Sequence, residues 1–250
     1  MTTDEALAVS SPAAVRSLIR ACRQRGRGLP LAALLWLAVA VPGAAQPVVT
    51  AESFFEAVSA TYGSIVDYQA DIRITQGEVV MEGALSYKRP NLLRIDFTNP
   101  EGQVIVSDGS LLTVYYPRLE VIFEQRLRNR GSENVAGLAS RQGLHFLQSN
   151  YAIAYLEGPD PVGLDPGSGE LVVKLKLTSR ATTEGFRQLE IAVSPGNLIR
   201  RITGISVGFE EHRLDFFNVR TNQNIPDGRF VYDSPPSANV YRDFLFESEE

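Results

Sequence analysis

The stretch Tyr87–Pro100 reads YKRPNLLRIDFTNP, and it is followed by VIVSDG at residues 104–109 and VYYP at residues 114–117. Apolar and polar side chains alternate along these runs, which is the period of an antiparallel strand with one buried face. Prolines punctuate the runs, and Asp108–Gly109 is a typical two-residue hairpin connection that needs positive φ at both positions. These segments therefore predict consecutive strands of an antiparallel meander.

The alternation continues on both sides of these segments. Strands are predicted at residues 65–75, 79–88, 92–98, 103–107, 111–116, 120–125, 151–156, 171–178, 186–193, 198–207 and 212–219. Helical spacing of apolar residues occurs from Phe54 to Tyr62, behind an N-cap at Thr50, and again within residues 129–150, where one or two short helices are expected. The sequence thus predicts a mainly β (α+β) fold with about eleven strands.

The first 45 residues have the layout of a secretory signal. Five arginines between Arg16 and Arg27 precede an apolar run of 13 residues, Leu29–Val41, and the small residues Gly43-Ala44-Ala45 follow. A membrane-spanning helix needs about 20 apolar residues, so cleavage after Ala45 is expected rather than anchoring. We expect a signal peptide at residues 1–45 and a single domain at residues 46–250, exported to the periplasm.

Charge and composition exclude several classes of function. Removing the five arginines and two acidic residues of the signal from the chain's 24 basic and 29 acidic residues leaves 19 and 27, a net charge of −8. An acidic domain is repelled by nucleic-acid phosphates. The single cysteine, Cys22, precedes the apolar run, so neither a disulfide nor a lipidated cysteine is expected in the mature protein.

The sequence carries no common catalytic motif. With only two histidines, His145 and His212, a metal site is not expected, and no cofactor is implied. The carboxylates Asp67, Asp71 and Asp96 alternate as they do on the wet face of any antiparallel sheet. A paired-carboxylate glycosidase is the one enzyme class left open, and the prediction is a protein without enzymatic activity.

Three features resemble the signature of periplasmic outer-membrane lipoprotein carriers of the LolA type. They are the Lys-Arg-Pro strand end at residues 88–90, the Val-Ser-Asp-Gly hairpin at residues 106–109 and the Tyr-x-Pro turn at residues 115–117. The rest of the chain matches in outline, including a Phe-x-Tyr-x-x-Pro-Pro segment at residues 230–236. One departure is that the family often has a tryptophan in the Tyr-x-Pro strand, where this chain has Leu112-Thr113-Val114.

The resemblance implies an incomplete antiparallel β-barrel around an apolar cavity, closed by a helical lid. It implies that Arg89 acts as a latch that bonds to the helical segment between residues 132 and 148, and that Leu93 contacts cargo. Alternation then places Arg94 and Asp96 on the wet face. The residues predicted to line the cavity are Leu85, Tyr87, Leu93, Ile95, Phe97, Ile105 and Tyr115. The predicted lid residues are Val135, Leu138 and Phe146.

The function implied by the resemblance is transport of acylated lipoproteins through the periplasm by a monomeric carrier. The implied donor is an inner-membrane lipoprotein-releasing transporter, and the implied acceptor is an outer-membrane receptor or the membrane itself. No nucleic-acid partner is expected. The alternative is a carrier or sensor of the same fold for another amphiphile, such as a glycolipid, a free lipid or an envelope-stress ligand.

We predict that the mature protein begins at or near Gln46 and is recovered from the periplasm. The reason is the basic region, the short apolar run and the small residues at 43–45. N-terminal sequencing of periplasmic material tests this. Retention of Met1, or recovery of the protein only from membranes, would contradict it.

Overall fold

The computed structural model describes residues 49–127, 139–181 and 185–243, which form thirteen strands and two α-helices. The helices are α1 (Ala51–Ser64) and α2 (Arg141–Asn150). The strands are β1 (Asp67–Gln76), β2 (Val79–Lys88), β3 (Leu92–Asn99), β4 (Val104–Ser107), β5 (Leu111–Tyr116), β6 (Val121–Arg126), β7 (Tyr151–Tyr155), β8 (Val162–Gly163), β9 (Leu171–Ser179), β10 (Phe186–Val193), β11 (Ile199–Ser206), β12 (Glu211–Thr221) and β13 (Asn239–Arg242). Short 3₁₀ helices cover Pro117–Leu119 and Asp227–Phe230. The predicted signal peptide and the lid residues Val135 and Leu138 lie outside the described residues.

The strands form one sheet in the order β13-β6-β5-β4-β3-β2-β1-β12-β11-β10-β9-β7, and β8 pairs separately with β9. Every pairing is antiparallel except that of β13 with β6, which is parallel. In the described part of the chain β7 and β13 are not paired with each other, so the sheet stays open. The predicted incomplete barrel is confirmed, and β8 and β13 are short additions to the eleven strands expected.

The β4–β5 hairpin forms where the sequence predicts it, but its turn is displaced by one residue. Asp108 N–H donates to the Leu111 carbonyl oxygen at 3.2 Å, and the turn is centred on Gly109 and Ser110. Only Gly109 among them has a positive φ, of 91°. The expected type I′ turn at Asp108–Gly109 is wrong because the Asp108 carboxylate accepts the N–H groups of Ser110 and Leu111, each at 2.8 Å, which fixes Asp108 before the turn.

Helix α1 covers one face of the sheet. Its N-cap is Thr50, as predicted, because Ser53 N–H donates to the Thr50 hydroxyl at 3.1 Å. Phe55, Val58 and Tyr62, spaced at three and four residues, are buried against the sheet. Full burial of each large apolar side chain contributes on the order of 2 kcal/mol, so this face holds α1 on the sheet.

Helix α2 confirms the helix predicted within residues 129–150. It begins after Ser140, whose hydroxyl accepts the N–H of Gly143 at 3.1 Å, and it ends directly at β7. Leu144 and Leu147 are fully buried in the same core as α1, and Phe146 packs partly buried against that core. Both helices therefore lie on one side of the sheet.

The segment that follows β12, residues 223–232, covers the side of β1 to β5 that faces away from the helices. Asp67, which is 1% exposed, accepts the backbone N–H groups of Gln223 at 2.7 Å and Ile225 at 3.3 Å. Lys88 Nζ donates to the Ile225 carbonyl oxygen at 2.7 Å, and Phe230 is buried. A buried carboxylate is tolerated here because both of its oxygens accept hydrogen bonds.

The segment after β12 corrects the expectation that Arg94 and Asp96 are exposed to solvent. They lie on the face predicted for them, but the Arg94 side chain is only 17% exposed. Arg94 Nη1 donates to the Arg229 and Val231 carbonyl oxygens at 3.2 and 3.3 Å, and Arg229 pairs with Asp96. Alternation of polar and apolar residues identifies a strand's two faces but does not show whether another segment lies over the polar one.

The Tyr62 hydroxyl joins α1 to β11, since it accepts the N–H of Ile199 at 3.1 Å. The ring is buried, and this burial raises the pKa of Tyr62 to about 12. A neutral phenol is therefore strongly preferred in the folded state.

We predict that the protein loses stability as pH rises from about 10, the unfolded pKa of tyrosine, to about 12. The folded pKa is raised, so the contribution of Tyr62 is fully present below pH 10. Urea unfolding between pH 8 and pH 11.5 should show a shallower alkaline decline for Tyr62→Phe than for the parent. The exposed Tyr241 is the control, because Tyr241→Phe should leave the slope unchanged. An equal slope in Tyr62→Phe would contradict this assignment.

Candidate functional site

A row of apolar side chains runs across the helix-facing side of the first half of the sheet. Residues directly opposite one another on neighbouring strands share a face, and the register sets Leu85 against Ile95, Ile95 against Ile105, and Ile105 against Val114. The row continues from Val114 to Phe123 on β6 and from Phe123 to Tyr241 on β13. With strands about 4.8 Å apart, these six positions span about 24 Å.

The two ends of this row differ in exposure. Leu85 and Ile95 are 1% and 2% exposed, Val114 is 9% exposed, and Tyr241 is 55% exposed. The buried end lies in the core shared with both helices, whereas the exposed end lies beyond it. One continuous apolar face therefore passes from a closed interior to an open edge.

Most of the residues predicted to line a cavity occupy the closed end. Leu85, Leu93, Ile95 and Phe97 are buried members of the main core, and Tyr87 and Ile105 pack partly buried against it. They lie on the helix-facing side of the sheet. In this structure they pack against other side chains of the core.

Tyr115 is the exception, and its assignment to the cavity is wrong. It pairs with Val104, and Val104 pairs with Asp96, so all three lie on the face away from the helices. There its ring packs against Tyr232 with centroids 6.1 Å apart. A two-residue hairpin pairs odd-numbered with even-numbered positions, so Ile105 and Tyr115 cannot share a face, and the sequence already contained this signal.

The open end of the row forms a pocket of about 330 Å³ lined by Val114, Tyr116, Leu119 and Phe123. The rings of Tyr116 and Phe123 meet edge to face at 5.8 Å, and Phe123 stacks on Tyr241 at 5.6 Å. Among the residues that the structure describes, this lining carries no charge. Sequence reasoning missed this pocket because it selected Tyr115 in place of its neighbours Val114 and Tyr116.

Arg89 contacts the carboxyl end of α1 in this structure. Its guanidinium Nη1 donates to the Gly63 carbonyl oxygen near the end of α1 at 3.3 Å, and its backbone N–H donates to Val66 at 2.9 Å. The predicted target was the segment 132–148, of which residues 139–148 belong to the described chain. In the structure Arg89 therefore fastens the carboxyl end of α1, whose last carbonyl groups lack partners within the helix.

Two tyrosines lie beneath the start of α2. The Tyr68 hydroxyl donates to the Ala139 carbonyl oxygen at 3.0 Å in a buried position. Burial raises the pKa of Tyr87, while a hydrogen bond with the Ser140 side chain and the charge of Arg89 oppose that shift. The rings of Tyr68 and Tyr87 lie 5.2 Å apart. These two hydroxyls connect β1 and β2 to the residues that begin α2.

The described residues contain no cluster of histidine, cysteine, aspartate or glutamate suited to a metal ion. Over the same ranges, neither helix is long and apolar enough to cross a membrane. The site therefore consists of an apolar surface, the two helices that lie on it, and the hydrogen bonds that attach these helices to the sheet.

The structure is thus an open sheet with one apolar face beneath two helices. The family model described as outer membrane lipoprotein carrier protein LolA matches residues 69–233. The chain therefore belongs to the LolA family, as its sequence predicted.

Comparison with known proteins agrees with this family. The outer-membrane lipoprotein carrier protein of Pseudomonas paraeruginosa is 28% identical over 163 residues, which cover 64% of this chain and 71% of the relative. That of Pasteurella multocida is 25% identical over 177 residues, covering 70% and 78%. An uncharacterized conserved protein from Thermus thermophilus has a related fold, with a TM-score of 0.50 at 14% identity over 77% of this chain and 98% of that one.

Proposed function

We propose that this protein carries lipoproteins from the inner to the outer membrane by binding their acyl chains on the helix-facing side of its sheet. The observation that carries the proposal is the unbroken apolar row from Leu85 in the core to Tyr241 at the sheet edge. Membership of the lipoprotein carrier family supports it. Acyl chains gain about 0.8 kcal/mol for each CH₂ group removed from water, so such a face favours them strongly.

Loading requires the helices to move away from the sheet. The open pocket, at about 330 Å³, lies at the lower end of the range for small ligands, and Leu93 and Ile95 are buried in the core that contains both helices. We propose that an acyl chain first contacts the pocket at Val114 and Phe123 and then follows the row inward as the helices move off Leu93 and Ile95. In the proposed cycle, this structure corresponds to the closed, empty protein.

The donor in this proposal is an inner-membrane lipoprotein-releasing transporter, and the acceptor is an outer-membrane receptor or the membrane. Family members are periplasmic carriers, which agrees with the predicted signal peptide. The proposed activity is binding and release without catalysis. Mass spectrometry of protein purified from the periplasm tests the cargo directly, because bound acylated protein supports the proposal whereas bound glycolipid or free lipid identifies another amphiphile.

We predict that Leu119→Glu weakens acyl-chain binding about tenfold or more. Leu119 lines the pocket yet is 69% exposed, so a glutamate there should not disturb folding, whereas its charge opposes entry of an apolar chain. Displacement of a fluorescent fatty acid measures the affinity. Leu171→Glu is the matched control, because Leu171 is 52% exposed at the start of β9 and does not line the pocket. Equal affinities for the two variants would exclude this pocket as part of the binding site.

We also predict that Arg89→Leu accepts acylated cargo normally but releases it several-fold more slowly. Loss of the hydrogen bond to Gly63 removes on the order of 1 kcal/mol from the closed, empty state, and that state drives release. Transfer of a loaded lipoprotein to acceptor membranes is the measurement, scored separately from loading. Arg89→Lys restores the charge but not the planar set of donors and should recover release only in part. Normal release in Arg89→Leu would assign Arg89 a structural role alone.

A further inference from the structure

Helices α1 and α2 are attached to the sheet in different ways. Helix α1 is tied at both ends: the Tyr155 hydroxyl donates to the Val49 and Thr50 carbonyl oxygens at 3.1 and 3.3 Å, and Tyr62 accepts the N–H of Ile199 at 3.1 Å. Arg89 adds a bond to Gly63. Movement of α1 therefore breaks hydrogen bonds at both of its ends.

Helix α2 is attached asymmetrically. Its carboxyl end continues without a loop into β7 at Tyr151, so that end moves only with the sheet. Its amino end follows Ala139 and Ser140, which are held from below by hydrogen bonds to Tyr68 and Tyr87. The amino end of α2 is thus held to the sheet by the Tyr68 hydroxyl, with Tyr87 beside it.

Of these two contacts, that of Tyr68 is the more buried. The Tyr68 ring is 2% exposed, enclosed between Tyr62 of α1, at 6.2 Å, and Tyr87, at 5.2 Å. Its hydroxyl finds its acceptor in the Ala139 carbonyl oxygen at 3.0 Å. A buried hydroxyl without an acceptor is costly, and an acyl chain has no group that accepts a hydrogen bond along its CH₂ groups.

We propose that Tyr68 is the positioning residue that holds the amino end of α2 shut and so sets the balance between the closed, empty protein and the open, loaded one. Cargo that lifts α2 removes the acceptor of the Tyr68 hydroxyl, and return of Ala139 restores it. The bond thus opposes loading and favours release. The effect on loading and release rests on the proposed function, whereas the attachment of α2 to the sheet by Tyr68 does not.

Tyr68→Phe tests the fastening, because it removes one oxygen atom and keeps the ring contacts. The mature chain contains no cysteine, since Cys22 precedes it, so Leu144→Cys places a single buried thiol on α2. The rate at which this thiol reacts with a maleimide reports opening of the helix. In the Leu144→Cys background, Tyr68→Phe should raise that rate about fivefold, as expected for loss of one buried hydrogen bond.

Tyr151→Phe provides a matched control. Tyr151 is also 2% exposed, and its hydroxyl donates to a backbone carbonyl oxygen, that of Phe186, at 3.1 Å, but this bond lies between strands rather than at the amino end of α2. Faster labelling in Tyr68→Phe alone, with an unchanged circular dichroism spectrum, supports the proposal. Unchanged labelling in Tyr68→Phe, or an equal rise in both variants, overturns it.

Release of a synthetic triacylated lipopeptide to phospholipid vesicles separates this inference from the carrier function. Slower release from Tyr68→Phe than from Tyr151→Phe, together with faster labelling, supports both. Faster labelling with no binding of the lipopeptide by any variant, including the parent, upholds the fastening of α2 and overturns the lipoprotein carrier proposal. Faster labelling with unchanged release overturns the role of Tyr68 in the balance between the two forms.

Discussion

The rest of the structure depends on the cost of leaving the apolar face of an open sheet in water. A closed barrel buries its inner face by packing against itself, whereas this sheet ends at β7 on one side and β13 on the other. Burial of that face therefore falls to α1 and α2, through Phe55, Leu144 and Leu147. Because the helices are separate elements laid on the sheet, their contribution can be exchanged for that of another apolar body with a comparable area.

The hydrogen bonds that attach α1 and α2 to the sheet have a different role from the apolar contacts of these helices. Hydrophobic contact is not directional, so both helices and acyl chains can bury the apolar face of the sheet. The bonds from Tyr68 to Ala139 and from Arg89 to Gly63 are directional and are available only to the helices. Each contributes on the order of 1 kcal/mol, which is small beside the hydrophobic term but, in the cycle proposed above, enough to favour the closed form once cargo has left.

The sequence predicted much of this fold because period-two alternation is a local signal. It located eleven strands, the N-cap at Thr50 and the helix-facing parity of Leu93, Ile95 and Phe97. It did not reveal the C-terminal segment over Arg94 and Asp96, since that contact joins residues more than a hundred positions apart. The Arg89 target was inferred from resemblance, and the side chain bonds to α1 because the end of β2 lies beside the end of α1. Tyr115 was misassigned through an error of register, not through a lack of signal.

The pairing of β1 with β12 brings together two strands near opposite ends of the described chain, with Asp71 opposite Phe217. The meander β1–β6 forms from contacts between sequence neighbours, and most of β7–β12 does as well. The seam between them requires closure of nearly the whole chain, an entropic cost that slows folding. Until the seam closes, β1 and β12 each present an unpaired edge. That interval is when the chain is most exposed to pairing with another copy of itself, so the seam, rather than the apolar site, is where aggregation is to be sought.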